Sequence, residues 1–379
     1  MIISHENVGG AFMPKNTLLI PVMLLVFYLS IFAQETAVPF LLTEPTAKAN
    51  GMAGSYTAIA NDGNAMFYNP AGLLRMTYGS FEYGYYNLYP RSDILTDFWI
   101  RYYAATTHIP SLGAWGISFS YYSLGGESVA TDENGNLIDT YYPHEWVLAL
   151  GYARYIGTKS SLGASFKLIK QNWGPNSLSI GSATKDLNST AFAFDFGLLY
   201  TNFLPELNYT RRYLKNNLIK WSIHRPPPGP SIGLAVRNIG PEMDYVDQTL
   251  PLPQQLRIGM AWNTIDTDIL GLIFSTDLRK MLVHGHDNFL ASIITSWEKF
   301  SFNQMEVSYG LELSLLTVIS FRFGKFIEDK YTGLYNYNTY GISIGPESFR
   351  INWYLKRYYP KPRYSYDDNY WRIGFSAAY

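Results

Sequence analysis

The chain has 379 residues, a formal net charge of -1, 16% charged residues and 17% aromatics, with 32 tyrosines. A typical soluble chain carries about 25% charged residues, so this one has too little charge to coat several soluble domains, while a mean hydropathy of -0.07 excludes a bundle of membrane helices. The near-neutral balance shows no basic stripe and argues against nucleic acid as a partner, and zero cysteines leave no disulfide and no thiolate metal site.

The one long apolar run is Thr17 to Ala33, behind Met13-Pro-Lys15. A basic residue, an apolar core and a small residue ahead of Gln34-Glu35 make residues 1–33 a secretory signal peptide, with Met13 read as the initiator. The other reading is an anchor helix, but no further segment approaches the ~20 apolar residues of a span. Residues 34–76 follow and do not alternate like a strand. Their glycines and small residues let the backbone pack closely, and Asn69-Pro70-Ala71-Gly72 is a strong local turn. A compact segment of this kind ahead of a barrel is expected inside it, as a hatch.

From Thr77 the chain alternates with period two. About fourteen strands are expected, near 77–88, 98–108, 113–124, 145–155, 160–171, 190–200, 231–238, 255–263, 269–278, 304–312, 317–326, 337–344, 348–356 and 370–379. In the last of them Trp371, Ile373, Phe375, Ala377 and Tyr379 point one way, and Arg372, Gly374, Ser376 and Ala378 the other. Apolar toward lipid and small or polar toward the lumen is the pattern of an outer-membrane barrel. The fold expected is therefore all-β, a transmembrane antiparallel barrel over residues 77–379 with an N-terminal hatch. The connections alternate short and long, which assigns the hatch, the short turns and the C-terminus to the periplasm and the long loops to the outside. Residues 201–230 break that rule as a long basic periplasmic excursion.

Lys167, Asp195, Arg237, Arg257, Asp277, Glu306, Glu312, Arg322, Arg350 and Arg372 fall on the small or polar side of their strands. Toward lipid an Arg or Lys would cost ~2–4 kcal/mol at the midplane. Inward they can pair with one another or with the hatch, so they are expected to form a structural ion network filling the lumen. An ion or sugar pathway is the alternative. In the last external loop Lys356, Arg357, Lys361 and Arg363 interleave with tyrosines. They suit lipopolysaccharide phosphates or a protein partner, and equally the interfacial girdle of a membrane protein.

Other candidate chemistry is thin. His284-Gly-His286-Asp287 offers two imidazoles and a carboxylate, but no further His lies nearby in sequence, so an exposed polar loop is expected and no metal. His144-Glu145 begins a strand, with Ser123 and Ser128 in the preceding stretch, yet no Gly-x-Ser-x-Gly motif appears. Asp132-Glu-Asn-Gly135 reads as a plain loop turn. No enzyme and no cofactor are expected.

Pro39 to Leu74 (PFLLTEPTAKANGMAGSYTAIANDGNAMFYNPAGLL) resembles the N-terminal signature of the PorV/PorQ family of outer-membrane proteins, associated with type IX secretion and similar to FadL-type transporters. A second match is Ser231-Ile-Gly-Leu-Ala-Val-Arg-Asn-Ile-Gly-Pro241 with Leu250-Pro-Leu-Pro253 and Leu256-Arg-Ile-Gly259. The resemblance implies a fourteen-stranded barrel of FadL type with a hatch. It further implies work in secretion across the outer membrane, with translocon subunits and cargo sorting domains as partners beside outer-membrane lipid and lipopolysaccharide. The rival is FadL-like transport of hydrophobic compounds. The 201–230 and 279–303 connections are longer than the family pattern.

Overall fold

The computed structural model describes residues 36–76, 79–87, 98–109, 111–131, 137–174, 178–180, 183–185, 187–204, 229–245, 248–267, 269–283, 288–298, 300–328, 336–346, 348–359 and 370–378. The expected signal peptide, most of the 201–230 connection, His284 to Asp287, Asp132 to Gly135, Lys361 and Arg363 lie outside them.

The strands begin with β1 (Ser80–Asn87), β2 (Phe98–Ile109), β3 (Gly113–Leu124), β4 (Ser128–Thr131), β5 (Leu137–Tyr141), β6 (His144–Tyr155) and β7 (Ser160–Asn172). They continue with β8 (Leu178–Ile180), β9 (Ala183–Lys185), β10 (Asn188–Thr201), β11 (Gly229–Ile239), β12 (Met243–Tyr245), β13 (Gln248–Leu250) and β14 (Gln255–Asp266). The last are β15 (Leu270–Met281), β16 (Glu306–Leu315), β17 (Ile319–Ile327), β18 (Asn336–Ile344), β19 (Arg350–Tyr359) and β20 (Tyr370–Ala378). Pairing runs β1-β2-β3-β6-β7-β10-β11-β14-β15-β16-β17-β18-β19-β20, and β20 returns to β1 in register Ser80↔Ala378 to Tyr85↔Ile373. The result is a closed antiparallel barrel of fourteen strands, as the periodicity implied. The six short strands make hairpins β4–β5, β8–β9 and β12–β13 inside the long connections. Among the described residues no helix is long and apolar enough to cross a membrane; the strands do the crossing.

Alternation explains why these segments become wall. On β10, Phe192, Phe194 and Phe196 are exposed outward while Ala191, Ala193 and Asp195 are buried inward. Phe166 of β7 packs beside Phe194 with ring centroids 5.4 Å apart. Trp115, Ile117, Trp262, Phe274, Phe321 and Phe323 stand on the same outer surface. In water such a surface would be an aggregation patch; against hydrocarbon it is the solvated face.

Residues 36–76 fill the bore. They form the 3-10 turn Pro39–Leu42, the single helical turns Ala47–Asn50 and Ala65–Tyr68, and the 3-10 stretch Pro70–Arg75. Ala49, Ala53, Ser55, Thr57, Ala60, Tyr68, Asn69 and Leu73 are fully buried. Room for this backbone comes from glycines on the inner face, arranged opposite one another across neighbouring strands: Gly84 with Gly374, Gly116 with Gly151, Gly163 with Gly197, Gly233 with Gly259 and Gly310 with Gly324. A Cβ at Gly84 would meet the Pro45 carbonyl, at Gly197 the Asn69 side chain, at Gly233 the Thr57 carbonyl and at Gly324 the Ala53 nitrogen. Hatch backbone therefore lies directly against the wall at Gly84, Gly163, Gly233 and Gly324, while the side chains of Met66 and Leu73 fill the space that Gly116 and Gly151 leave.

Candidate functional site

The site is the contact between hatch and wall. Asn69 is its central stitch. Asn69 Nδ2 donates to the Thr57 carbonyl at 3.0 Å and to the Leu198 carbonyl of β10 at 3.1 Å, while Oδ1 accepts the Ala71 N–H at 3.1 Å. That last bond caps the 3-10 stretch opened by Pro70, the role an N-cap side chain plays for orphan N–H groups. Ala71 accepts a bond from Ser161 Oγ on its carbonyl at 3.0 Å, and Gly72 abuts Ala60 so closely that any side chain would collide. All four residues of the turn are thus fitted to the bore.

Charged groups from opposite arcs of the wall complete the seat. Asp277 Oδ2 accepts the N–H groups of Tyr56 and Thr57 at 3.2 and 3.1 Å, the Thr57 hydroxyl at 2.5 Å and Arg257 Nη2 at 3.0 Å. Arg257 also donates to the Gly54 carbonyl at 2.7 Å and lies over the Tyr68 ring. Arg279 pairs with Glu44 of the hatch at 2.8 Å and donates to the Ala53 carbonyl at 2.9 Å. Lys167 pairs with Asp195 at 2.7 Å and bonds Asn238 Oδ1 at 2.7 Å; Asp195 in turn accepts the Asn238 N–H at 2.8 Å. This knot sits on a bulge, because pairing shifts between Phe194↔Ile239 and Phe196↔Val236, and Asn238 takes a left-handed φ of 58°.

Other inward cations are met differently. Arg322 pairs with Glu312 at 2.5 Å and also donates to Ser343. Arg237 donates to the Leu41 carbonyl at 3.3 Å and stacks 3.9 Å from the Phe67 ring centroid. Arg350 bonds the Gly345 carbonyl at 3.0 Å and the Thr317 carbonyl. Arg372 lies 3.7 Å over Tyr86. The lumen is thus a set of local pairs, carbonyl contacts and cation–π stacks more than one continuous network.

Within the hatch, Lys48 pairs with Asp62 at 2.5 Å, and Asp62 also accepts the Tyr56 hydroxyl at 2.8 Å and the Asn64 N–H at 3.0 Å. Burial opposes the Asp62 charge, but the Lys48 ammonium and these donors together hold its carboxyl below the usual carboxylate range. Burial alone pulls the Arg75 guanidinium down to about 9; it lines a cavity of about 580 Å³ at the short-turn end, with His108, Tyr155 and Lys159.

Two sequence expectations change. Strand β19 runs to Tyr359, so Lys356 and Arg357 belong to the wall and not to a loop. Lys356 turns inward, its Nζ 3.6 Å over Tyr337, while Arg357 is exposed on the outer face. Strand β15 runs to Met281, which brings in Arg279, missed because the strand was expected to stop at 278. Glu44, Lys48 and Asp62 were missed because the hatch has no period from which to read a face. The His144-Glu145 pair forms no catalytic set: His144 stacks on Tyr121, Glu145 accepts from Trp173 at 3.1 Å, and Ser123 donates to the Gly125 carbonyl. Among the described residues no three His, Cys, Asp or Glu side chains gather to hold a metal ion.

Known structures share this architecture. The toluene transporter TbuX of Ralstonia pickettii is 15% identical with a TM-score of 0.51, over 89% of this chain and 99% of its own. A deltaS2 mutant of the monoaromatic hydrocarbon channel TodX, known from Pseudomonas putida, is 12% identical with a TM-score of 0.51, over 89% and 99%. A Pseudomonas aeruginosa FadL homologue is 11% identical with a TM-score of 0.45, over 88% and 98%. At such identities the likeness is one of fold. No curated protein is recognisably similar in sequence. The family model described as type IX secretion system protein PorV matches residues 32–287, from just ahead of the hatch to the connection after β15. That match covers well over half of the chain, and the chain belongs to the PorV family of outer-membrane barrels.

Proposed function

We propose that this barrel is a non-enzymatic component of type IX protein secretion, offering its external loops and rim to translocon subunits or to secreted cargo bearing C-terminal sorting domains. In this reading residues 1–33 are a removed export signal, residues 34–76 a structural hatch and residues 77–379 the barrel. The observation that carries the reading is a bore occupied by the hatch in a chain of the PorV family. A filled bore leaves the outer surfaces as the working parts.

A transporter of hydrophobic compounds needs an apolar passage beside its hatch. The cavity between Phe40, Met66 and Phe67 of the hatch and the β2, β3 and β6 wall is about 30 Å³, room for a water or two. It is also flanked by Lys167 and Arg237. The larger cavity at the short-turn end, beside Leu74 and Met76, is likewise lined by cations, Arg75 and Lys159, and cations in both linings support secretion over passage of the toluene and monoaromatic ligands named for the similar structures.

The test is a tagged full-length chain extracted from outer membranes in mild detergent. Translocon subunits or sorting-domain cargo should copurify, and deletion of the gene should strand cargo in the periplasm. Recovery of neither, with export unchanged, would sink the proposal, and a hydrocarbon or lipid found inside the bore would move it to transport.

A further inference from the structure

The connection between β15 and β16 holds a marked apolar surface outside the barrel strands. It carries the helix Phe289–Thr295, capped by Asn288 Oδ1, which accepts the Leu290 N–H at 3.0 Å. Leu290 and Ile294 are four residues apart and share a helix face. They are 59% and 75% exposed, and Phe302 further on is 82% exposed.

Lys280 tells where this segment lies. Along β15, Asp277 and Arg279 are inward, so Lys280 shares the outer face with Leu278 and Phe274. Lys280 is nonetheless buried, because Trp297 and Phe300 cover it, with ring centroids 5.2 and 5.6 Å from Nζ. The loop thus folds over the outside of the wall at its long-loop end, and leaves Leu290, Ile294 and Phe302 exposed.

The same wall carries two further features. A groove of about 710 Å³ across β14–β18 is lined by Met260, Trp262, Phe274, Leu311, Phe323 and Tyr340, with Lys325 among its lining. An outer-face row in direct register, Thr276–Tyr309–Lys325–Asn338–Arg357, then crosses β15 to β19. It contains two cations and no carboxylate, near the external ends of β17 and β19. Bare cations on a lipid face are costly in hydrocarbon and favourable where headgroup phosphates lie.

We infer that this wall is a binding site for a phosphorylated glycolipid of the outer leaflet, lipopolysaccharide. Its acyl chains lie in the groove and against Leu290, Ile294 and Phe302. Its phosphates meet Lys325 and Arg357. The β15–β16 loop is then an interfacial foot of the barrel in the outer leaflet, not a flap over its mouth. Depth of the apolar face in the acyl boundary is what such an amphipathic segment achieves.

The chain has no cysteine, so single labels report cleanly. Ile294→Cys carries a nitroxide in the full-length barrel, reconstituted in bilayers containing lipopolysaccharide, with Leu137→Cys on the β4–β5 hairpin as the aqueous reference. The Ile294 label should be relaxed by oxygen and shielded from a nickel chelate, and the Leu137 label the reverse. Equal nickel access at both sites would overturn the foot and leave the stripe as a protein-docking face. In a second arm, the doubly substituted Lys325→Gln, Arg357→Gln barrel should bind phosphorylated lipid A about tenfold more weakly, as expected for lost charge-assisted contacts, with its melting unchanged. Equal binding of phosphorylated and dephosphorylated lipid A by the native barrel would overturn the phosphate assignment.

Discussion

Arg257 and Asp277, on the adjacent strands β14 and β15, lie 3.0 Å apart inside the barrel, and the same Asp277 oxygen receives the N–H groups of Tyr56 and Thr57 from the hatch. One wall carboxylate therefore neutralises a buried guanidinium and caps two otherwise orphaned donors. Removing one partner of a buried pair costs about 3–5 kcal/mol, because the other charge stays buried. Asp277→Ala should lower the melting temperature of the detergent-solubilised barrel and open the hatch to trypsin at Lys48 or Arg75. Asp277→Asn, which keeps an acceptor, should do so less. Native melting and protection in Asp277→Ala would mean the hatch is held elsewhere.

Where a paired glycine faces hatch backbone the demand is sharper, because backbone cannot give way as a side chain can. At Gly324 a Cβ would strike the Ala53 nitrogen and the Thr339 hydroxyl. Overpacking a core costs about 1–3 kcal/mol and more where backbone must move, so Gly324→Val should unseat the hatch or stop assembly. Phe323→Val, one residue away on the lipid face, removes bulk without touching the hatch. Band shifts on unheated gels and trypsin protection separate the two: the first variant should lose both signs of a seated barrel, the second neither.

The wall was legible in the sequence because its side chains obey a period of two, so one alternation fixes both the lipid face and the side on which Arg257 or Asp277 must lie. What escaped lacks a period. Glu44, Lys48 and Asp62 sit on single turns of helix and in bends, where sequence spacing does not set direction. Hairpins such as β12–β13, three residues a side, and the seven-residue helix Phe289–Thr295 are too short for a pattern to emerge. Arg357 was placed in a loop because the expected strand ends at 356, short of Tyr359, where β19 ends. The meeting of Gly197 with Asn69 depends on residues far apart in the chain, although an inward glycine recurring strand after strand was a signal that a backbone passes close by.

Lys48 and Asp62 give the hatch a pH dependence whose sign follows from the depressed carboxyl. An unfolded Asp titrates near ~3.9, and the seated Asp62 titrates lower. Its stabilisation is fully present above the unfolded value and is lost as pH falls from there through the folded value. Hatch protection should hold at neutral pH and weaken progressively below about pH 4. In Asp62→Asn, the acid-dependent part of the loss should disappear while the neutral-pH baseline drops. Cysteine introduced at Ser55, fully buried in the native chain, reads the opening by thiol modification after an acid pulse. Identical acid profiles for the native chain and Asp62→Asn would exclude this pair as the origin.

Asn69 separates hydrogen-bond donation from acceptance. Its amide donates to the carbonyls of Thr57 and Leu198 while its oxygen accepts from Ala71. Asn69→Ala removes all three bonds and leaves two buried carbonyls and one N–H without this partner, at about 1–3 kcal/mol for each unsatisfied group. Asn69→Asp keeps the cap on Ala71 but turns a carboxylate oxygen toward two carbonyl oxygens, which adds repulsion in a site where the residue is fully buried. Aspartate caps a helix as well as asparagine does. If capping were the main task, Asn69→Asp would be the milder change; because Asn69 chiefly ties the hatch to β10, it should be the more damaging one. Thermal melting and trypsin protection of the two variants, compared at neutral pH, decide between capping and tethering.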